Sequence, residues 1–301
     1  MAPAKWKIYR KNLMTTKKIL ITGTNSYIGM SFENWVSQWP DEYSVETVDM
    51  IDGSWREKSF AGYDVVFHVA GIAHVSADPA KESLYYKVNR DLAIETAQKA
   101  KNDGVRQFIF MSSMIVYGKD EPAGTQKIIT LDTPPAPSDF YGNSKLEADL
   151  AIQKMADMDF AVSIMRPPVI YGPGCKGNFP RLIDLAKRTF IFPGINNFRS
   201  MLYIDNLCEF LRIIIDNRKT GIFFPQNKEY VSTRDVIVEY RKQTGKSTLL
   251  LPFPDFLVSL MSGIDVFNKA FGTKIYDKKI SEFDLEYNVV DFKTSIKRMS
   301  V

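Results

Sequence analysis

The chain is poor in the residues that staple or metallate a protein. Its 301 residues include only two cysteines, Cys175 and Cys208, and only two histidines, His68 and His74. Neither pair has metal or redox spacing, so no metal is expected and a reducing, cytoplasmic compartment is the default. A chain this long can bury enough apolar surface to fold without disulfides. Net charge is also scarce, since 39 basic against 35 acidic residues leave +4. The excess is scattered, unlike the clustered stripe that nucleic-acid binding needs. No uncharged apolar run reaches the length of about 18 residues that suggests a membrane span. The nearest candidate, residues 249–271, is broken by Pro252, Pro254, Asp255, Asp265 and Lys269. Its charges leave one apolar face, which suits a helix packed on the protein better than one lying on a membrane surface. Residues 1–18 carry Lys5, Lys7, Arg10, Lys11, Lys17 and Lys18 without an apolar core of signal-peptide length. Met14 opens a segment that runs into the first strand, so residues 1–13 are expected to be an extension.

What the sequence does have is alternation. Apolar runs at 18–22, 44–50, 64–69, 107–112 and 161–166 read as strands, and 27–38, 84–102 and 141–157 as helices. That order predicts an α/β fold, a Rossmann-type doubly wound parallel sheet with both faces covered. After Gly172 the rhythm is broken by Pro173, Gly174, Gly177, Pro180, Pro193 and Gly194. The remainder is expected to form a smaller C-terminal substrate-binding lobe at the carboxyl ends of the strands. The expected division is 14–170 for the nucleotide-binding domain, with 200–225 returning to it. Residues 171–199 and 226–301 then make the lobe.

Residues 18–29 read K-I-L-I-T-G-T-N-S-Y-I-G. Gly23 permits a tight turn after the strand, and Gly29 permits close packing of helix on strand. The helix start then offers free N–H groups and a positive dipole end to a diphosphate. Ser26 stands where the usual motif has its middle glycine. Asp49, twenty residues after Gly29, ends the second strand where a carboxylate grips a ribose 2′-hydroxyl, which favours NAD over NADP. Asp52 either serves the adenine or, as Asp52-Gly53, simply makes a turn.

Residues 140–145 read F-Y-G-N-S-K. Tyr141 and Lys145 are four apart and so share one helical face. A phenol titrates near pH ~10 and is a poor base at neutrality. A neighbouring ammonium is expected to lower that value, letting the tyrosine take a proton from a sugar or alcohol hydroxyl. Residues 109–118, I-F-M-S-S-M-I-V-Y-G, end a strand in hydroxyls. Ser113 can hydrogen-bond a reacting oxygen, and strand-end capping is the plainer use of Ser112 and Ser113.

Segments 22–29, 65–71, 110–118, 141–145 and 166–174, with Asn89, occur in order and at matching separations. Together they resemble the extended short-chain dehydrogenase/reductase superfamily, the NAD-dependent epimerases and dehydratases. Residues 166–174 and 197–207 look most like the UDP-glucose 4-epimerase-like branch, and the likeness covers about residues 17–220. The resemblance implies a catalytic set of Ser113, Tyr141 and Lys145, with Lys145 also holding the nicotinamide ribose. It implies that Gly23, Ser26, Tyr27, Ile28, Gly29, Asp49 and Asp52 hold the adenosine and diphosphate of NAD. Val69, Ala70 and Gly71 line the cofactor floor, Asn89 steadies the strand ends, and Ser112 and Pro168 add cofactor contacts. Arg199 is implied to reach the diphosphate of a nucleotide sugar, with Asn178 and Arg181 as further substrate contacts.

Two departures from the family pattern bear on the reaction. Dehydratase members carry an Asp-Glu pair directly after the catalytic Ser/Thr, where this chain has Met114 and Ile115. Neither moves a proton, so dehydration is disfavoured. A family asparagine after the strand-six arginine is Val169 here, which removes one substrate contact. The expectation is an epimerase acting at C4 of a UDP-hexose or UDP-N-acetylhexosamine through a 4-keto intermediate. The same residues suit an NAD(P)H-dependent C4-reductase of a 4-keto-6-deoxy sugar nucleotide. A non-catalytic NAD-binding regulator fits less well, because such members commonly lose the tyrosine or the lysine. The resemblance also implies a homodimer built on helices 84–102 and 141–157, and a place in polysaccharide biosynthesis.

Overall fold

The computed structural model describes residues 16–73 and 78–300. The expected extension at 1–13 and His74 lie outside them. At the centre is a six-stranded sheet in which every neighbouring pair is parallel. Its order is β2 (Tyr43–Val48), β1 (Lys17–Thr22), β3 (Val65–His68), β4 (Gln107–Met111), β6 (Ala161–Met165) and β10 (Gly221–Phe223). The chain steps from β1 to β2, then crosses to the other side of β1 with β3. That reversal opens a crevice at the carboxyl ends of the strands.

Side chains two apart along a strand face the same way. Ile19, Ile21, Val65, Phe67, Ile109 and Met111 therefore point to one face of the sheet. Leu20, Val66, Phe108 and Phe110 point to the other. The first face is covered by Phe32 and Val36 of α1 (Tyr27–Val36) and by Leu207, Leu211 and Ile214 of a helix at Ile204–Asp216. The second face meets alanines at helical spacing, Ala93, Ala97 and Ala100, together with Ala148 and Ile152 of a helix at Phe140–Gln153. Small side chains there leave room for the bulky Phe108 and Phe110 beneath them.

The helix expected over 84–102 is three pieces: α2 (Glu82–Tyr85), a π-helical turn at Tyr86–Asp91, and α3 (Leu92–Asn102). The wide turn carries the fully buried Asn89. Such turns change the aim of a side chain inside an otherwise regular helix. The helix expected at 141–157 is α4 (Phe140–Gln153).

The part without clean alternation is more ordered than its composition suggests. It holds α5 (Asn178–Arg188), α6 (Ile204–Asp216), α7 (Thr233–Gln243), α8 (Asp255–Met261), α9 (Asp265–Phe271) and α10 (Phe292–Met299). Three parallel two-strand pairs stitch it together: β5 (Gln126–Ile129) with β12 (Thr273–Tyr276), β7 (Val169–Tyr171) with β9 (Met201–Tyr203), and β8 (Ile191–Pro193) with β11 (Leu249–Leu251). The stretch 249–271 is thus a strand and two short helices, not one packed helix. Val258, Phe267 and Phe271 are buried, but Phe256 and Leu260 are 70% and 78% exposed. Among the described residues no helix is long and apolar enough to cross a membrane.

At the end of β3, His68 is fully buried between the rings of Phe108 and Phe110. Its Nδ1 lies 2.7 Å from the Thr22 hydroxyl, while Nε2 has no partner. Burial, with the Lys145 charge adding, pushes its pKa down to about 3. The folded state therefore refuses a proton that the unfolded chain accepts near pH ~6.5. Stability from this group is complete above that pH and falls as the pH drops toward 3. We expect denaturation curves at pH 6 to 4 to show a steeper loss for the wild type than for His68→Leu, by up to about 1.4 kcal/mol per pH unit. Equal slopes would remove the assignment.

Candidate active site

The nucleotide turn forms where β1 ends. Gly23 has φ +117°, and a Cβ placed there would stand 3.0 Å from the backbone of Ala70. The backbone N–H of Ala70 in turn donates to Thr22 O at 2.9 Å, locking the residue 22–23 turn to the end of β3. Ser26 caps α1, its hydroxyl accepting from the Gly29 N–H at 3.4 Å. A Cβ on Gly29 would come within 3.1 Å of Ile21 and 3.2 Å of Val69, so helix and sheet touch there. The N–H groups of Tyr27 and Ile28, in the first turn, have no carbonyl four residues back to bond. Across the turn, Asp49 accepts from the Thr24 hydroxyl at 2.9 Å and from the Ile51 N–H at 2.7 Å. Asp52 spends its carboxylate on the backbone and hydroxyl of Ser54, as a turn residue does.

α4 begins at an Asp139 cap, whose carboxylate accepts from the Gly142 N–H at 2.8 Å. The cap sets Tyr141 in the first turn, at the mouth of the crevice, with Lys145 one turn deeper. Tyr141 packs edge-on against Tyr85 at 5.8 Å between ring centroids. Lys145 is buried, donates to Met111 O at 2.9 Å and lies 4.9 Å from the centre of the Phe110 ring. Burial pushes the lysine down to about 8, with Asp149 pulling it back up. Burial, reinforced by Tyr85, pushes Tyr141 up to about 12, and a hydrogen bond with Ser113 opposes the rise.

The expectation that Lys145 lowers the phenol's pKa is therefore corrected. Its ammonium is engaged by a carbonyl and a ring, and Ser113 is the side chain that eases ionisation of Tyr141. Beside them Asn89 clamps Ile72, accepting from its N–H at 2.9 Å and donating to its carbonyl at 3.0 Å. Gly71 sits between Asn89 Oδ1 and Lys145 Nζ, at 3.0 and 3.3 Å from the position its Cβ would take. Only a glycine leaves that cradle open between the nucleotide turn and the lysine.

Ser112 is corrected too. Its hydroxyl turns inward and donates to Asp149 at 2.7 Å, so its side chain does not line the crevice. Asp149 is fully buried and forms a two-pronged ion pair with Arg166, at 2.9 and 3.0 Å. Arg166 also donates to the Tyr117 hydroxyl at 2.7 Å. Sequence reading missed Asp149 although the signal was there: Tyr141, Lys145 and Asp149 recur every four residues. Pro168 is buried, and the carbonyl before it accepts from the Met114 N–H at 2.9 Å.

On the lobe side, Arg199 donates to Lys269 O at 2.6 Å and pairs with Asp120 at 3.2 Å. Its Nε is buried without a partner. Lys274, almost buried, donates to Gly118 O at 2.7 Å and lies 3.3 Å from the same carboxylate. This cation pair had no signal in the sequence beyond Arg199, because a backbone bridge between Arg199 and the distant Lys274 of β12 creates it. Asn178 and Arg181 stand exposed on the first turn of α5, and no bond joins them to this group.

A nucleotide turn facing a serine–tyrosine–lysine set across the carboxyl ends of a parallel sheet defines a dehydrogenase-type enzyme. The chain belongs to the NAD dependent epimerase/dehydratase family, whose sequence pattern matches residues 19–224. A UDP-glucose 4-epimerase of Vibrio cholerae is 30% identical over 85% of this chain and 83% of that one. An N-acetyl-alpha-D-glucosaminyl-diphospho-ditrans,octacis-undecaprenol 4-epimerase of Escherichia coli O157:H7 is 27% identical over 75% of this chain and 69% of that one. Among solved structures, a UDP-glucuronic acid 4-epimerase of Bacillus cereus in complex with NAD superposes with a TM-score of 0.69 at 19% identity, covering 94% of this chain and 95% of that one. A dTDP-4-dehydrorhamnose reductase from Clostridium acetobutylicum gives 0.71 at 21% identity, over 94% and 98%. At those identities the likeness is one of fold.

Proposed function

We propose that the chain is a C4-epimerase of UDP-hexoses or UDP-N-acetylhexosamines that keeps its NAD bound throughout the cycle. The carrying observation is Ser113 and Tyr141 brought together beside Lys145, with buried Met114 and half-buried Ile115 where an eliminating acid–base pair would stand. The crevice suits the cofactor: Gly23 and Gly71 leave space that a Cβ would fill, and Asp49 faces the turn. Gly23, Ser26, Tyr27 and Ile28 would hold the diphosphate, Asp49 the adenosine ribose, and Val69, Ala70 and Lys145 the nicotinamide half. Bound NAD supplies a hydride acceptor that gives back what it takes.

The chain's residues handle the proton. Tyr141 takes it from O4 of the sugar as C4 is oxidised, and Ser113 stabilises the oxygen that carries the charge. The 4-keto sugar turns over in the site so that C4 is reduced from its opposite face, and Tyr141 returns the proton to O4. Arg199 and Lys274 exchange Asp120 for the diphosphate of the substrate, where a guanidinium fork suits phosphate oxygens. Exposed Leu84 and Leu150 on the α2–α4 side suit a homodimer there, and a cytoplasmic role in polysaccharide assembly fits a nucleotide-sugar substrate. The purified protein is expected to interconvert UDP-glucose with UDP-galactose, or their N-acetyl forms, without added cofactor. No turnover on any of the four would overturn the reading. Stoichiometric NADH consumption with a 4-keto sugar would replace it with a reductase.

One observation favours a second substrate form, a sugar diphosphate carried on a polyprenyl lipid. Exposed apolar side chains of the lobe adjoin α9, and the Lys269 carbonyl of α9 holds Arg199.

A further inference from the structure

We propose that the outer face of the C-terminal lobe is a surface for binding an anionic lipid bilayer. Phe190, just before β8, is 63% exposed, and Leu249 and Leu251, which share one side of β11, are 54% and 46% exposed. On α8, Phe256 and Leu260 are four apart, so they crown one helical face. Scattered apolar residues on a surface are ordinary, but phenylalanine and leucine side chains exposed this densely in two neighbouring segments mark an interaction site.

The two groups share one foundation. Phe192 of β8 contacts Phe271, Phe271 contacts Phe267, and Phe267 contacts Phe253, at centroid distances of 5.9, 4.9 and 6.3 Å. β8 and β11 are joined in register, Ile191 beside Leu249 and Pro193 beside Leu251. Strand pair, α9 and the segment that leads into α8 therefore rest on one apolar layer.

Charge selects the occupant. The segments flanking β8 and β11 carry exposed Lys187, Arg188, Lys242 and Lys246. Nearby acids are few: Asp184, paired with Lys187 at 3.2 Å, and exposed Asp255 at the start of α8. A basic rim around leucine and phenylalanine side chains matches an anionic headgroup layer over acyl chains. A second copy docked two-fold on the same face would bring the two basic rims together, which like-charge repulsion opposes. α9 ties this unit to Arg199 through the Lys269 carbonyl, which places the proposed diphosphate site beside the lobe that carries the face. The inference deepens the polyprenyl-linked reading, but the bilayer contact stands on the surface alone.

The test is co-sedimentation of the full-length protein with vesicles of phosphatidylcholine, alone or mixed with phosphatidylglycerol. The wild type is expected to bind the mixed vesicles at least about tenfold more tightly than the neutral ones. Phe256→Ser with Leu260→Ser is expected to weaken that binding by about tenfold or more, and turnover of UDP-hexose in solution stays unchanged. Lys246→Glu is expected to erase the preference for anionic vesicles. Absence of binding to either vesicle, or equal binding by the serine variant, overturns the proposal. So does a wild-type oligomer that the serine variant dissociates, since a second copy then covers the face. Vesicle binding by a protein that turns over no sugar leaves this proposal standing and sinks the catalytic one.

Discussion

Removing one oxygen atom, by Tyr141→Phe, is expected to lower turnover by about 10²–10⁴-fold, the range of a lost general acid–base group. The ring keeps its edge contact with Tyr85, and the Asp139 cap that starts α4 is untouched. Folding stability should therefore change little, and binding of the cofactor at the Gly23 turn should not change at all. The loss falls on the proton step because the hydroxyl is the group that exchanges the proton with the sugar oxygen. Burial favours the protonated phenol and Ser113 opposes it, so the base form of Tyr141 depends on its surroundings, and the phenylalanine has no base form at all. Ser113→Ala is a milder companion, lowering kcat and steepening the dependence on alkaline pH while the phenol persists. Turnover of Tyr141→Phe within about tenfold of wild type would remove Tyr141 from the chemistry.

The strands were legible because both faces of a parallel sheet are buried, so β1, β3, β4 and β6 stand out as short apolar runs. The Tyr141–Lys145 spacing and the glycine turn were equally local features. What escaped the sequence depends on contacts between distant segments. The direction of Ser112 is decided by Asp149, thirty-seven residues away. The surroundings of Arg199 are decided by Asp120, Lys269 and Lys274, which lie about seventy or more residues away along the chain. Apolar spacing announced an amphipathic stretch at 249–271, but Pro252, Pro254 and Gly263 divide it, so part of its apolar face is left outside. The π-helical turn at Tyr86–Asp91 has no mark in composition, because nothing in Y-K-V-N-R-D forbids a regular helix.

The largest effect on stability is expected from Asp149→Asn. The carboxylate is fully buried, accepts from Ser112 and is held by both prongs of Arg166. Losing its charge leaves a buried guanidinium facing one neutral amide oxygen, an amide N–H2 that repels its other prong, and the Tyr117 hydroxyl. Breaking a buried pair in this way costs about 3–5 kcal/mol, a large share of the roughly 5–15 kcal/mol that holds a domain folded. Denaturation should show that loss directly. Arg166→Met added to Asp149→Asn is expected to recover much of it, since removing both partners leaves no unpaired charge. If the double variant is no more stable than the single one, the ion pair is not the cause.

The rescued protein carries a second, functional readout. Asp149 is the charge that opposes the burial holding Lys145 down at about 8. Without it the ammonium loses its proton at lower pH, since a buried lysine relieved of a nearby carboxylate favours its neutral form. Activity that needs a charged Lys145 should then fall off on the alkaline side earlier than in the wild type, with the fold intact. An unchanged alkaline limb in the double variant would confine Asp149 to holding the strand ends.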